Sequence, residues 1–185
     1  MIKENFREAE DRMKKALTAL QHEYMGIRTG RASTALLEGI KVDYYGAMVP
    51  LQQVATIAVP EARLITIQPW EKQLVSVIEK AILKSDLGLT PATAGNVIRL
   101  PIPSLTEERR KDLVKVVKRM AEESRVAVRN IRRDANAALK EAEKNGDISE
   151  DENHKAQDEI QELTNTYITR IDETLALKEK EILEE

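Results

Sequence analysis

From Thr106 to about Glu143 the chain carries no glycine and no proline. Apolar or small residues recur through this stretch at Leu113, Val117, Met120, Ser124, Ala127, Ile131, Ala135, Ala138 and Ala142. Steps of three and four hold one face of a helix toward a partner. At the helical rise per residue the stretch spans roughly 55–60 Å, several times the length of an ordinary globular helix. A helix this long needs other long helices along its seam, so a bundle is the first expectation.

The polar faces of the same helix are unequal. Lys111, Lys115, Lys118, Arg125, Arg129, Arg132 and Arg133 share one sector away from the seam, and Asp112, Glu123, Asp134 and Glu141 share another. Between Arg109 and Arg133 stand ten Lys or Arg and three Asp or Glu. Two readings follow. One is a solvated face carrying i,i+4 ion pairs. The other is a phosphate-binding stripe, because planar guanidinium forks suit phosphate or carboxylate better than mere solubility requires.

The net charge of −3 conceals this polarity. Residues 106–145 carry a net +4, and residues 146–185 carry a net −9. A basic helix is therefore followed by an acidic one. Cysteine is absent, which removes disulfides, thiolate metal sites and thiol catalysis. The six aromatics are Phe6, Tyr24, Tyr44, Tyr45, Trp70 and Tyr167, so any core must be aliphatic. The N-terminus is too charged for a signal peptide, and no apolar run reaches membrane length.

In chain order, residues 3–28 form a first amphipathic helix through Ile2, Phe6, Ala9, Met13, Ala16, Leu20, Tyr24 and Ile27, ending at Gly26 and Gly30. All six prolines then fall between Pro50 and Pro103, and five of seven glycines between Gly30 and Gly95. β-Rich runs at 39–46, 53–59, 63–69 and 96–102 surround one helix at 71–84, with a short helical turn at 32–37. A small α/β module over residues 31–104 results. Ser104 and Thr106 are alternative caps for the long helix. Asn145-Gly146 ends it, and Ser149 with Glu152 opens the last helix as a capping box, running to about Leu183. The last seam is Ala156, Ile160, Leu163, Tyr167, Ile171, Leu175 and Ile182.

The expected fold class is α+β: an elongated three-helix bundle of residues 1–30 and 105–185, with a small β/α/β domain, 31–104, inserted between the first and second helices. Two short linkers, at Gly30-Arg31 and at Ser104-Leu105-Thr106, join the parts and form a hinge.

Catalytic chemistry finds no support. There is no GxxxxGK[ST] loop and no GxGxxG turn. His22 and His154 sit at polar helix positions and read as solvated. The acids at 147–152 lack the order of a calcium loop. Trp70, at a strand-to-helix corner, reads as a packing residue. With no candidate nucleophile, general base or metal site, the chain reads as a binding protein with no cofactor.

Longer strings carry a resemblance. Ile27–Ser33 (IRTGRAS), Asp43–Gly46 (DYYG), Glu79–Pro91 (EKAILKSDLGLTP), Leu105–Lys115 (LTEERRKDLVK) and Arg125–Ala135 (RVAVRNIRRDA) are similar to the bacterial ribosome recycling factors, over the whole chain. Ser104, where a second hinge proline is expected, and Ala47-Met48 depart from that pattern. The resemblance implies a non-enzymatic cytoplasmic factor that splits the post-termination ribosome with elongation factor G and GTP. It implies a monomer that binds ribosomal RNA of the large subunit through Arg28, Arg125, Arg129, Arg132 and Arg133, and that has no DNA, membrane or metal partner. The alternative is an adaptor whose basic helix docks an acidic protein.

Overall fold

The computed structural model describes residues 1–184. Its helices are α1 (Ile2–Met25), α2 (Leu74–Lys84), α3 (Glu107–Lys144) and α4 (Glu150–Leu183). Its strands are β1 (Lys41–Tyr44), β2 (Ala47–Pro50), β3 (Ala55–Glu61), β4 (Leu64–Pro69), β5 (Ala92–Ala94) and β6 (Val97–Pro101). The chain packs as two compact units: Met1–Tyr24 with Asp112–Lys180, and Met25–Lys111 with the chain end from Glu181.

In the first unit α3 runs antiparallel to both of its neighbours. The side chain of Asn5 donates to the carbonyl of Ala135, and Tyr24 donates to that of Val117, so α1 ascends as α3 descends. Arg125 reaches Asp172, and Lys118 reaches Glu179, which sets α4 in the opposite sense to α3. Helix ends are closed locally. Ser149 Oγ accepts from the Glu152 amide while Glu152 returns a bond to the Ser149 amide, both at 3.1 Å, as the capping box requires. Gly146 takes φ 79°, open to it because it lacks a Cβ, and Asp147 N–H then reaches back to the Ala142 carbonyl at 2.8 Å. Of the two candidate caps for α3, Thr106 is the one used: its Oγ1 accepts from the Arg109 amide.

The buried line of α3 is Leu113, Val117, Ala121, Ser124, Val128, Ile131, Ala135, Leu139 and Ala142. Relative to the seam read from the sequence, Ala121, Val128 and Leu139 replace Met120, Ala127 and Ala138, a rotation of about 35° around the helix. The cause is that α3 serves two partners. Burial is centred between the face bonded to α1 and the face bonded to α4, so it moves toward α4. Leu17 enters the α1 seam by the same logic, beside Met13 and Leu20.

The second unit holds two sheets, a β1-β2 hairpin and an antiparallel sheet in the order β3-β4-β6-β5. Ile65, Ile67, Ile98 and Leu100 project from β4 and β6 onto Ile78 and Ile82 of α2, all fully buried. The core is aliphatic, as the scarcity of aromatics demands, and each such side chain contributes about 1.5–3 kcal/mol on burial. The run at 39–46 is a strand only to Tyr44. Tyr45 (φ 51°) and Gly46 (φ 86°) then turn the chain into β2. Trp70 corrects the packing expectation. It is 65% exposed and is held at the surface by Nε1 donating to Thr56 Oγ1 at 3.0 Å.

Candidate nucleic-acid interface

Helical periodicity brings Arg125, Arg129, Arg132 and Arg133 to one side of α3, and the structure distinguishes their states. Arg125 is committed to the bundle. Its Nε and Nη2 reach Asp172 Oδ1 on α4 at 2.8 and 2.7 Å, and its Nη1 reaches Glu122 at 3.0 Å. Only 18% of its side chain is exposed. Burial alone would lower the pKa of this guanidinium, but the bonds to Asp172 and Glu122 outweigh it and raise the pKa. Arg125 is thus a clasp between α3 and α4.

Arg132 also leans on α4, with Nη1 donating to Gln161 Oε1 at 3.4 Å. That neutral partner leaves its charge uncompensated. Arg129 stands further out and shares Glu122, at 3.3 Å. Arg133 is exposed and donates to Asn130 of its own helix, at 3.5 Å. Elsewhere on the stripe Lys111 pairs with Glu107 at 3.6 Å and Lys118 with Glu179 at 3.9 Å. Ion pairs therefore absorb part of the stripe, as a solvated face would, while Arg132 and Arg133 form no ion pair among the described residues.

Glu122 is the residue that sequence reasoning missed. It lies one turn before Arg125 and two before Arg129, inside the basic sector, and its two oxygens receive both guanidinium groups. The same 100° bookkeeping that gathered the arginines places it there.

The remaining candidates lie in the second unit. Arg28 is half-buried and forms no ion pair among the described residues. Gly30 is buried at φ 85°, a backbone conformation that a side chain would strain. Arg31, Ser104 and Thr106 are exposed, and Leu105 is buried. Two short backbone bonds lie beside these linker segments: Ala32 N–H to the Ala62 carbonyl at 2.7 Å, and Ile102 N–H to the Arg63 carbonyl at 2.8 Å. Among the described residues no cluster of His, Asp and Glu could hold a metal ion, and no helix is long and apolar enough to cross a membrane.

Comparison with known proteins bears on this interface. The family model described as Ribosome recycling factor matches residues 20–183. A ribosome-recycling factor of Nitratidesulfovibrio vulgaris (strain DP4) is 57% identical over 177 residues, covering 96% of this chain and 95% of its own. A solution structure of the ribosome recycling factor superposes with a TM-score of 0.85 at 48% identity, covering 98% of this chain and 97% of the other. A second structure, of the T. thermophilus ribosome recycling factor and E. coli elongation factor G bound to the E. coli post-termination complex, matches with a TM-score of 0.69 at 49% identity, over 99% of each chain. With its helices, its small sheet unit and its arginine face, the chain belongs to the ribosome recycling factor family, whose members are non-enzymatic translation factors.

Proposed function

We propose that this protein binds the large subunit of the post-termination ribosome through ribosomal RNA and, with elongation factor G and GTP, separates the subunits for reuse. The observation that carries the reading is the outward row of Arg129, Arg132 and Arg133 on one rigid helix, in a chain of this family. Structured RNA presents phosphate and shape rather than a readable major groove. Guanidinium groups spaced along a helix meet phosphates without needing aromatic stacking. Arg125, its charge met by Asp172 and Glu122, holds the helix that presents the others; Arg28 supplies a further cation. The setting is the cytoplasm, where these partners meet.

The domains in this reading are residues 1–30 with 105–185, and 31–104. Gly30-Arg31 and Ser104-Leu105-Thr106 act as the hinge, over which elongation factor G drives the smaller domain while the bundle stays on RNA. This division leaves two covalent crossings between its parts, and further support comes from Gly30, whose positive φ favours glycine.

Co-sedimentation with isolated subunits tests the binding step: the protein should pellet with the large subunit and be released by salt. Light scattering of post-termination ribosomes with elongation factor G and GTP tests splitting. Pelleting that survives digestion of the RNA would replace this reading with docking on an acidic protein.

A further inference from the structure

The hairpin of the second unit has an unused edge. Among the described residues β1 pairs with β2 and with no other strand. The two-residue turn at Tyr45-Gly46 makes Tyr44–Ala47 a hydrogen-bonded pair, so Val42–Val49 is the next and Lys41–Pro50 and Asp43–Met48 are not. Two facts agree with this phase: Pro50 has no N–H to give, and Leu51 N–H bonds the Ile40 carbonyl at 3.1 Å. The N–H and C=O groups of Lys41 and Asp43 therefore point away from β2. Both residues line a groove of about 530 Å³ that Val77, Lys80, Ala81 and Lys84 of α2 also line.

The groove is amphipathic. Val77 and Ala81 of α2 and Val42 of β1 give it aliphatic walls, and Met48, 64% exposed, supplies an adaptable flank. Lys41, Lys80 and Lys84 stand on its rim. All three are exposed, and none forms an ion pair among the described residues. Asp43, whose carboxylate lines the groove, accepts from the Gly46 amide at 2.9 Å. Among the described residues no aromatic ring lines the groove to stack a base.

We propose that the edge of β1 is a docking site for an extended acidic–aliphatic segment of a protein partner, which adds as a third strand along β1, on the side away from β2. Main-chain bonds to Lys41 and Asp43 would supply register. Alternate aliphatic side chains would rest on Val77 and Ala81, and the intervening carboxylates would meet the three ammonium groups. Lysine on an exposed edge also opposes pairing with another basic edge, so the same residues select an acidic strand and reject a second copy of this hairpin. The site shares no residue with the arginine face of α3.

The test uses the full ¹⁵N-labelled chain and a short peptide of alternating glutamate and valine, blocked at both ends. Saturable shifts at the Lys41 and Asp43 amides, with a dissociation constant below about 1 mM, and slowed hydrogen exchange at both, are expected. K80E/K84E, two changes at exposed positions of α2, should weaken binding roughly tenfold or more in low salt. A peptide N-methylated on its pairing edge should not bind. Binding that ignores the charge reversal or the N-methyl groups overturns the proposal, as does the absence of shifts at about 1 mM peptide. Shifts produced equally by a short oligouridylate assign the groove to nucleic acid instead and overturn it as well.

Discussion

Tyr24 donates its phenolic proton to the main-chain carbonyl of Val117 over 2.6 Å, joining α1 to α3 inside the first unit. Burial, the largest influence, raises the phenol's pKa. Arg125 opposes that shift, Glu179 and Glu23 add to it, and the pKa comes to about 12. The folded state thus holds this proton more tightly than the unfolded chain does. Below pH 10 both states are protonated and the contribution is complete. Above pH 10 the unfolded state releases its proton first, so the contribution falls and is gone beyond pH 12. Tyr24→Phe should cost about 0.5–1.5 kcal/mol near neutrality. Denaturant melts of both proteins should converge as pH rises from 10 to 12; a constant difference would remove the buried phenol as the cause.

The arginines should separate by role. Arg132→Ala and Arg133→Ala should leave the melting temperature unchanged, and each should flatten the dependence of log K on log salt for large-subunit binding by about 0.7–0.9. Arg125→Ala should instead lower stability by about 1.5–3 kcal/mol, because it removes charged bonds to Asp172 and Glu122. Equal effects of all three on stability would refute the division.

Glu122 offers a carboxylate to the same guanidinium groups that phosphate would engage. Glu122→Gln should tighten ribosome binding about two- to fivefold in low salt, with the gain fading in high salt as screening removes the difference. Weaker binding would mean that Glu122 serves by holding Arg129 in position.

The phase of α3 is testable with adjacent residues. Leu139 is fully buried and Ala138 exposed. Leu139→Asp should abolish cooperative folding, since an unpaired charge would enter a dry interface. Ala138→Asp should melt within a few degrees of the parent by circular dichroism. Reversed results would return the seam to the phase read from the sequence.

Ser124 lies in the buried line of α3, and its hydroxyl has no hydrogen-bond partner among the described residues. Ser124→Ala should raise stability by about 1 kcal/mol, seen as a rise of about 2–4 °C in thermal melts. A loss of stability would reveal a bond to the hydroxyl in solution.

Much of this protein follows from local chemistry. The helix over residues 107–144, the reciprocal bonds of Ser149 and Glu152, and the turn at Gly146 each depend on residues within one or two helical turns, so the sequence alone determined them, while the choice of Thr106 over Ser104 as the cap of α3 came from the structure. The cores of β3, β4 and β6 were legible from β-branched runs, whereas β5 spans three residues and β2 ends in Pro50, too little pattern for either to register. The arginine stripe was visible for the same periodic reason. What periodicity cannot supply is the neighbour. Arg125 and Asp172 stand 47 residues apart, and only the packing of α4 on α3 converts that arginine from a free cation into a clasp. The same packing turned the seam toward Val128 and Leu139, because a helix between two partners buries the arc between them. The open edge of β1 likewise exists only once the hairpin has formed and no further strand has taken its place.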